Sequence, residues 1–384
     1  MNGRPVERFN WKQTIKVNIL TLKIVGLWPA GDGSYECNLY TLYEIVSLIF
    51  LQIAHIGAQT VQVILIMDDL QAVTGSVFVL LMEMLGILKS YCLIKNMGKL
   101  KHLMVILNSD LFQPKTLEQR SLVQPNLNAW KTLASTFWVF CGGWLIFWLL
   151  CPMMDKSYKE YRLPFLAWYP YNTQTSPQYE FTYLHQFVSI NCISLVNVNI
   201  DTLIAGLNMY IGAQFDILCD DVRHLHDGSK DSLAEARQKL KKCVKHHREI
   251  LKFAKYANNF YNWPVFLQIF VGGICIGLSL FQMTVVVPFS AEFYSFLTYS
   301  FGIIVQVFMY CWFGNEIEVK SSKLSYAAFE SDWTNLSPEV KKILIIFTLN
   351  VQKPLKVSAF GLFYLSLETF MKVRFTIFFL VKQR

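Results

Sequence analysis

Between Lys255 and Glu292 the chain runs for 36 residues without an Asp, Glu, Lys or Arg. An ordinary soluble domain places a charged residue about every fourth position. A helix that crosses about 30 Å of hydrocarbon needs about 20 mostly apolar residues at 1.5 Å rise each. Lipid offers no hydrogen-bond partner to the backbone, so a spanning segment must satisfy its own N–H and C=O groups, as a helix does. The run is therefore long enough for one crossing and its exit. It is not alone. Leu133–Met153, Phe181–Ile200 and Phe293–Asn315 are equally free of charge. Leu39–Met67 adds a fifth candidate with Glu44 near one end, and Leu70–Leu93 a sixth. That sixth stretch holds Glu83 in its middle and Lys89 near its end, where a lysine is expected to snorkel toward the interface.

A seventh span is expected over Val357–Val381, after a short non-spanning helix over Ile343–Gln352 and the break Lys353-Pro354-Leu355-Lys356. It carries Glu368, Lys372 and Arg374, which suits a helix lining water within a bundle and not one facing lipid. The fold class expected is thus all-α, a polytopic membrane protein of seven transmembrane helices. Composition agrees: 53% hydrophobic, 15% aromatic and 16% charged over 384 residues excludes disorder, collagen, coiled coil and small disulfide scaffolds.

Orientation follows from Lys and Arg in the short connections. The first 38 residues hold five, Lys95–Lys131 holds six, and Asp216–Lys255 holds ten against seven acids. Cys151–Glu180 is balanced at three against three, and Val286–Ala291 has none. The N-terminus is therefore expected in the cytosol and, after seven spans, the C-terminus outside. That is the reverse of a G-protein-coupled receptor. The start of the chain lacks the compact apolar region and small-residue cleavage site of a signal peptide. Lys12, Lys16 and Lys23 share one helical face, and read either as an in-plane helix on the inner leaflet or as an ordinary positive-inside flank.

Nine scattered cysteines without CxxC spacing give no disulfide framework or zinc site. The pairs His224/His226 and His246/His247 fall in the basic segment 220–255, expected to be a charge-laced helical extension with the histidines on a solvated face. Phosphate-loop, dinucleotide, HExxH and GxSxG signatures are absent, so no enzyme, cofactor, metal or nucleic acid is expected. The sequon Asn335-Leu336-Ser337 falls on the cytosolic side, where it should stay unmodified.

The spans themselves carry aromatic and mildly polar chemistry. The outer half of the third reads Cys141-Gly-Gly-Trp144-Leu-Ile-Phe147-Trp148. The fourth opens on Tyr183, His185, Gln186 and Phe187, and the sixth on Tyr294, Phe296, Leu297 and Tyr299. Rings beside glycines supply apolar area with few rotors and leave space, the makings of a pocket for a small hydrophobic, weakly polar molecule. Interfacial aromatic belts would give the same pattern.

The C-terminal third resembles the insect odorant receptor family. The resemblance rests on Tyr310-Cys-Trp-Phe-Gly-Asn-Glu316, on Ser325-Tyr-Ala-Ala-Phe-Glu-Ser-Asp-Trp333, and on Lys353-Pro354 followed by Ser358-Ala-Phe-Gly-Leu-Phe-Tyr-Leu-Ser-Leu-Glu-Thr-Phe370. Leu163-Pro-Phe-Leu-Ala-Trp-Tyr-Pro170 with Ser176-Pro-Gln-Tyr-Glu180 is a weaker match. After Phe370 the chain departs from the family's usual Tyr-Ser-Tyr-Phe-like ending.

The resemblance implies an odorant-binding subunit of a ligand-gated, non-selective cation channel, assembled as a heterotetramer with the odorant receptor coreceptor. It would sit in the plasma membrane of olfactory sensory neuron dendrites, amid membrane lipid, and bind small volatile hydrophobic odorants. The coreceptor's long insertion in the second cytosolic loop is missing here, so the chain reads as a tuning subunit. The implied pocket draws on Val77 and Leu81 of the second span, Trp144, Phe147 and Trp148 of the third, Tyr183, Gln186, Phe187 and Ile190 of the fourth, and Tyr294, Leu297 and Tyr299 of the sixth. The implied pore stripe is Thr369, Val373, Thr376 and Leu380, within roughly 60° of one another on a helix. Subunits would meet at Trp312, Asn315, Glu330, Asp332, Trp333 and Pro354. The resulting division is a cytosolic N-terminus (1–38), six spans with the extension 216–255 (39–312), an anchor region (313–356) and the seventh helix with the C-terminus (357–384). Competing readings are a gustatory-type chemoreceptor channel, a G-protein-coupled receptor, and a transporter, for which inverted repeats are missing.

Overall fold

The computed structural model describes residues 8–29, 39–154, 156–225 and 233–372. Helix dominates because the apolar runs have no other way to satisfy their backbone. Among the described residues six helices are long and apolar enough to cross a membrane. The first span joins α2 (Leu39–Val46) to α3 (Ala54–Leu65) through Ser47–Ile53, a stretch wound as π-helix. The others are α4 (Leu70–Lys95), α6 (Leu117–Met154), α7 (Gln178–Arg223), α8 (Leu233–Val285) and α9 (Ala291–Glu330). Shorter helices are α1 (Lys16–Ile24), α5 (Met97–Leu107) and α10 (Pro338–Val351). Asp69 starts α4 by accepting from the amides of Gln71 and Ala72, both at 3.0 Å, and Ser290 starts α9 through Phe293 N at 3.1 Å.

At 46 and 53 residues α7 and α8 are about 70 and 80 Å long, more than twice the hydrocarbon thickness, so they project well past the membrane. α7 is the hub, packing on α9, α6, α8, α4 and α1. Every residue from Val198 to Phe215 is buried, the polar Asn199, Asp201, Asn208 and Gln214 included, so this part of α7 is surrounded by other helices. The Lys/Arg-rich ends gather at one end of the bundle, where Arg8 meets Asp110 at 3.2 Å and Arg223 meets Glu330 at 2.5 Å. The opposite end, called outer here, is covered by the 156–177 connection. That connection is tied down by Trp168 N on Ala58 O at 3.0 Å and Tyr179 OH on Arg162 O at 2.9 Å. Exposed large side chains such as Phe50, Phe270 and Phe301 lie on the flanks of the spans, where lipid replaces water.

Several expectations need correction. Lys89 does not snorkel. Its ammonium is fully buried, 2.7 Å from the Asp201 carboxylate, because a facing counter-ion competes with an interface still about 9 Å further along the helix. His246 is not on a solvated face. It is 1% exposed, packs edge-on against Phe112, and its Nε2 sits 3.0 Å from Gln214 Oε1. The helical extension 220–255 is two pieces, the end of α7 and the start of α8, with the turn between them partly outside the described residues. The seventh helix does not begin at Val357. Ser358–Ala359 (β1) pairs antiparallel with Phe363–Tyr364 (β2), and helix resumes only over 367–372. Within this hairpin Gly361 at φ +71 makes the turn, and Leu365 N donates to Val357 O at 2.9 Å.

The N-terminal lysines point outward from an element docked on the bundle. Trp11, Ile15, Ile19 and Leu22 bury against α7, Tyr210 OH donates to Trp11 O at 2.9 Å, and Asn18 Nδ2 donates to Thr202 Oγ1 at 2.7 Å. Cys92, Cys141, Cys192, Cys219, Cys243, Cys275 and Cys311 are free.

Candidate functional site

A cavity of about 130 Å³ lies inside the bundle between α4, α6, α7 and α9. Each helix presents it a stripe at three-and-four spacing: Val79, Met82 and Glu83 on α4, Phe137, Cys141 and Trp144 on α6, Tyr299, Gly302 and Gln306 on α9. On α7 the stripe runs from Ile190 through Ser194 and Asn197 to Asp201. Gly302 matters sterically: a Cβ there would come within 3.0 Å of the Phe140 ring, which closes one wall.

The outer end of the cavity is aromatic. Trp144 stacks on Trp148 with ring centres 5.9 Å apart and leans on Tyr299 at 5.3 Å, while Phe78 meets Tyr299 edge-on at 4.8 Å. The polar atoms of these rings are already used. Trp144 Nε1 donates to Ser295 O at 3.4 Å, Trp148 Nε1 to Pro164 O at 3.2 Å, and Tyr299 OH to Phe78 O at 3.2 Å. The rings therefore offer faces and not donors.

The inner end is polar. Asp201 receives Lys89 Nζ at 2.7 Å and is also bonded by Tyr310 OH and Gln306 Nε2. Gln268 Nε2 donates to Gln306 Oε1 at 2.8 Å, so α4, α7, α8 and α9 share one network. Glu83 takes both its bonds from Gln59 Nε2, at 3.1 and 2.9 Å, with His55 Nε2 3.7 Å away. Buried ions in a membrane are tolerated only when paired in this way, and mark functional positions.

Three of the residues implied by the family pattern line this cavity: Trp144, Ile190 and Tyr299. Leu81 and Trp148 pack in the apolar cluster beside it. The others do not line it. Gln186 is fully buried but fastens the outer connection, accepting from Phe165 N at 3.1 Å and donating to Phe165 O at 3.0 Å. Tyr183 OH is bonded to Leu149 O. Phe187, Leu297 and Tyr294 are 44%, 43% and 47% exposed and face away from the bundle. Val77 and Phe147 are half-buried outside the lining. The cavity lies one to three helical turns deeper than the aromatic openings of the spans suggest. Its polar floor went unread because Glu83 and Lys89 were assigned to the span alone and Asp201 to its end. The available signal was the α7 spacing Ile190, Ser194, Asn197, Asp201.

A second, wider crevice of about 710 Å³ opens between the first span, α7 and the outer connection, with Phe50, Val61, Trp168, Tyr171 and His185 among its walls. At the opposite end of the molecule a groove of about 270 Å³ runs between the end of α9 and α10, bordered by Phe329, Trp333, Ile345 and Leu349. Of the residues implied at subunit contacts, Trp333 is exposed on this groove and Asp332 accepts from Asn335 Nδ2 at 3.0 Å. Glu330 is engaged by Arg223, Trp312 packs on Phe308 at 5.6 Å, and Asn315 and Pro354 are half-buried. Thr369 N lies 3.3 Å from Ser366 Oγ at the start of the last helix, whereas Val373, Thr376 and Leu380 lie outside the described residues.

A family model described as 7tm Odorant receptor matches residues 69–377. Odorant receptor Or1 of Anopheles gambiae is 25% identical, over 96% of this chain and 94% of that protein. Odorant receptor 13a of Drosophila melanogaster is 23% identical, over 93% and 91%. Among solved structures, the insect olfactory receptor OR5 from Machilis hrabei superposes with a TM-score of 0.84 at 16% identity, covering 96% of this chain and 97% of that one. Its complex with eugenol gives 0.80 at 17% identity, covering 97% and 98%. At these identities the structural likeness concerns the fold.

Proposed function

Because the chain belongs to the insect odorant receptor family, we propose that it is the tuning subunit of an odorant-gated, non-selective cation channel formed with the odorant receptor coreceptor. The observation that carries this reading is the cavity among α4, α6, α7 and α9, aromatic at its outer end and polar at its floor. It has the concave, mostly apolar build of a small-molecule site with few polar groups. A relative of the same fold was solved with eugenol, a small volatile molecule, which supports an odorant as the ligand class.

The apolar groove at α9 and α10 supports assembly. Phe329, Ile345 and Leu349 are 66%, 60% and 59% exposed at the Lys/Arg-rich end, away from the uncharged parts of the spans, where an unpartnered apolar surface marks a protein contact. In this reading 313–356 is the anchor, the final helix lines the pore through Thr369, Val373, Thr376 and Leu380, and the channel stands in the plasma membrane of sensory dendrites. The N-terminus is cytosolic.

Calcium imaging of cells expressing the chain with and without a coreceptor, across a panel of volatiles, tests the proposal. Responses should require both subunits, and an epitope at residue 1 should be reachable only after permeabilisation. Odorant responses from this chain alone, or a tag exposed on intact cells, would favour a G-protein-coupled receptor.

A further inference from the structure

The ring donors that line the cavity are spent, whereas several of its acceptors are not. Trp144 Nε1 and Tyr299 OH are held by the backbone carbonyls of Ser295 and Phe78. Gln306 Nε2 donates one N–H to Asp201, and Asn197 Nδ2 one to Ile193 O at 3.2 Å, so each amide keeps a second N–H. This last bond fixes the Asn197 amide with its Oδ1 as the acceptor, and that atom has no partner. Glu83 is 3% exposed and receives the Gln59 amide, with His55 Nε2 3.7 Å from Oε2. A carboxylate can accept at about four lone-pair positions, so spare capacity is left beside the cavity. Asp201, by contrast, already has three donors. The Ser194 hydroxyl can serve either way and does not change the balance.

Two consequences follow for a ligand. A group bearing O–H or N–H finds a carboxyl oxygen as acceptor in a largely buried site, where hydrogen bonds are stronger than in water. A group that only accepts, such as an ether, ester or ketone, gains nothing from the Glu83 oxygens and must compete for the remaining N–H of the Asn197 or Gln306 amide or for the Ser194 hydroxyl. Size adds a second constraint, since a cavity of about 130 Å³ is close to the ~150 Å³ that holds one benzene ring.

We infer that this receptor selects hydrogen-bond donors, monocyclic or similarly small volatile alcohols and phenols, and that the Glu83 carboxylate is the residue that sets this preference. The inference rests on the cavity being the odorant site, and deepens that reading. The role of Glu83 in tying the first span to the second accounts for its bonds to Gln59, but not for its position on the cavity wall.

The test uses matched pairs that differ in one proton: benzyl alcohol against benzyl methyl ether, and phenol against anisole. Two readouts are taken on the full chain: currents in cells that co-express the coreceptor, and quenching of tryptophan emission in the purified protein, since Trp144 and Trp148 lie at the cavity. In the unaltered protein the alcohol and the phenol should act at concentrations about tenfold lower than their ethers, a ratio that one hydrogen bond supports. Glu83→Gln keeps an acceptor for Gln59 but adds an N–H₂ donor, so it should weaken the alcohols, strengthen the ethers and bring the ratio close to one. Surface labelling confirms that the variant is delivered. Equal or better action of the ethers on the unaltered protein would overturn the inference, as would an unchanged ratio in Glu83→Gln. Quenching with the expected preference but no current would leave the inference standing and sink the channel reading. A panel that neither quenches nor gates would overturn both.

Discussion

Lys89 and Asp201 meet at 2.7 Å with both side chains fully buried, 112 positions apart in the chain. Removing one member leaves the other charge without compensation in a low-dielectric interior, at a cost of about 3–5 kcal/mol. Lys89→Met should therefore sharply lower the melting temperature in detergent and the fraction reaching the surface. Lys89→Met combined with Asp201→Asn should recover most of the loss, because no charge is then stranded and Tyr310 and Gln306 keep an acceptor. A double variant as unstable as the single would show that the pair acts through something other than mutual compensation. His246 makes a second residue-scale case. Burial holds its pKa down to about 4, against about 6.5 for a free histidine. The neutral form is the one the fold accepts, so its contribution is complete above about pH 6.5 and is lost as pH falls toward 4. At pH 5 the loss should be about 2 kcal/mol. Thermal unfolding at pH 7.5 and pH 5 should show that drop in the unaltered protein and a smaller one in His246→Gln.

Elements depend on single close approaches. Gly314 lies inside α9, where alanine would ordinarily improve helix stability by about 1 kcal/mol. Here an added Cβ would meet Leu365 O at 2.3 Å and Leu365 Cβ at 2.5 Å, so the hairpin β1–β2 could not seat. Gly314→Ala should loosen the chain between α10 and the last helix, seen as faster proteolysis within 352–366, while the helix content stays unchanged. Gly273→Ala in α8, where the Cβ meets nothing within 4 Å, should be neutral or slightly stabilising. Equal effects from the two would remove the steric argument. The string Phe313-Gly314-Asn315 thus has a packing reason that is independent of any family likeness.

At the scale of the molecule, α7 joins the two ends. It carries Ser194, Asn197 and Asp201 at the cavity and continues to Arg223, whose bond to Glu330 reaches the end of α9. The groove beside that contact holds Trp333, 41% exposed, in a region with no ligand chemistry of its own. If coreceptor subunits cover it, Trp333→Ala should reduce coreceptor recovery in pull-downs several-fold, since a buried interface tryptophan commonly contributes 2 kcal/mol or more, that is roughly thirtyfold or more in affinity. The odorant preference of the channels that still form should not change. Normal recovery would place the contact elsewhere.

What the sequence determined by itself was the part governed by local physics. Uncharged runs of 20 to 36 residues fix which segments cross, because backbone groups in lipid must pair within their own helix. The aromatic strings at 141–148 and 294–299 lie on two of the four helices that line the cavity. Tertiary structure alone decided its depth, its polar floor and the corrected positions. Whether Lys89 reaches for the interface or for Asp201 depends on which helix faces it, and nothing within a turn of Lys89 encodes that. Gln186 reads as a pocket residue until Phe165 is seen to occupy both ends of its amide. Val357–Leu365 reads as the start of a helix, yet folds as a hairpin because Gly314 opens a seat for it on α9, 51 positions away from Leu365 in the chain. Helix periodicity is written within a turn or two of the chain, whereas the partner of a buried charge, amide or strand is written on another element.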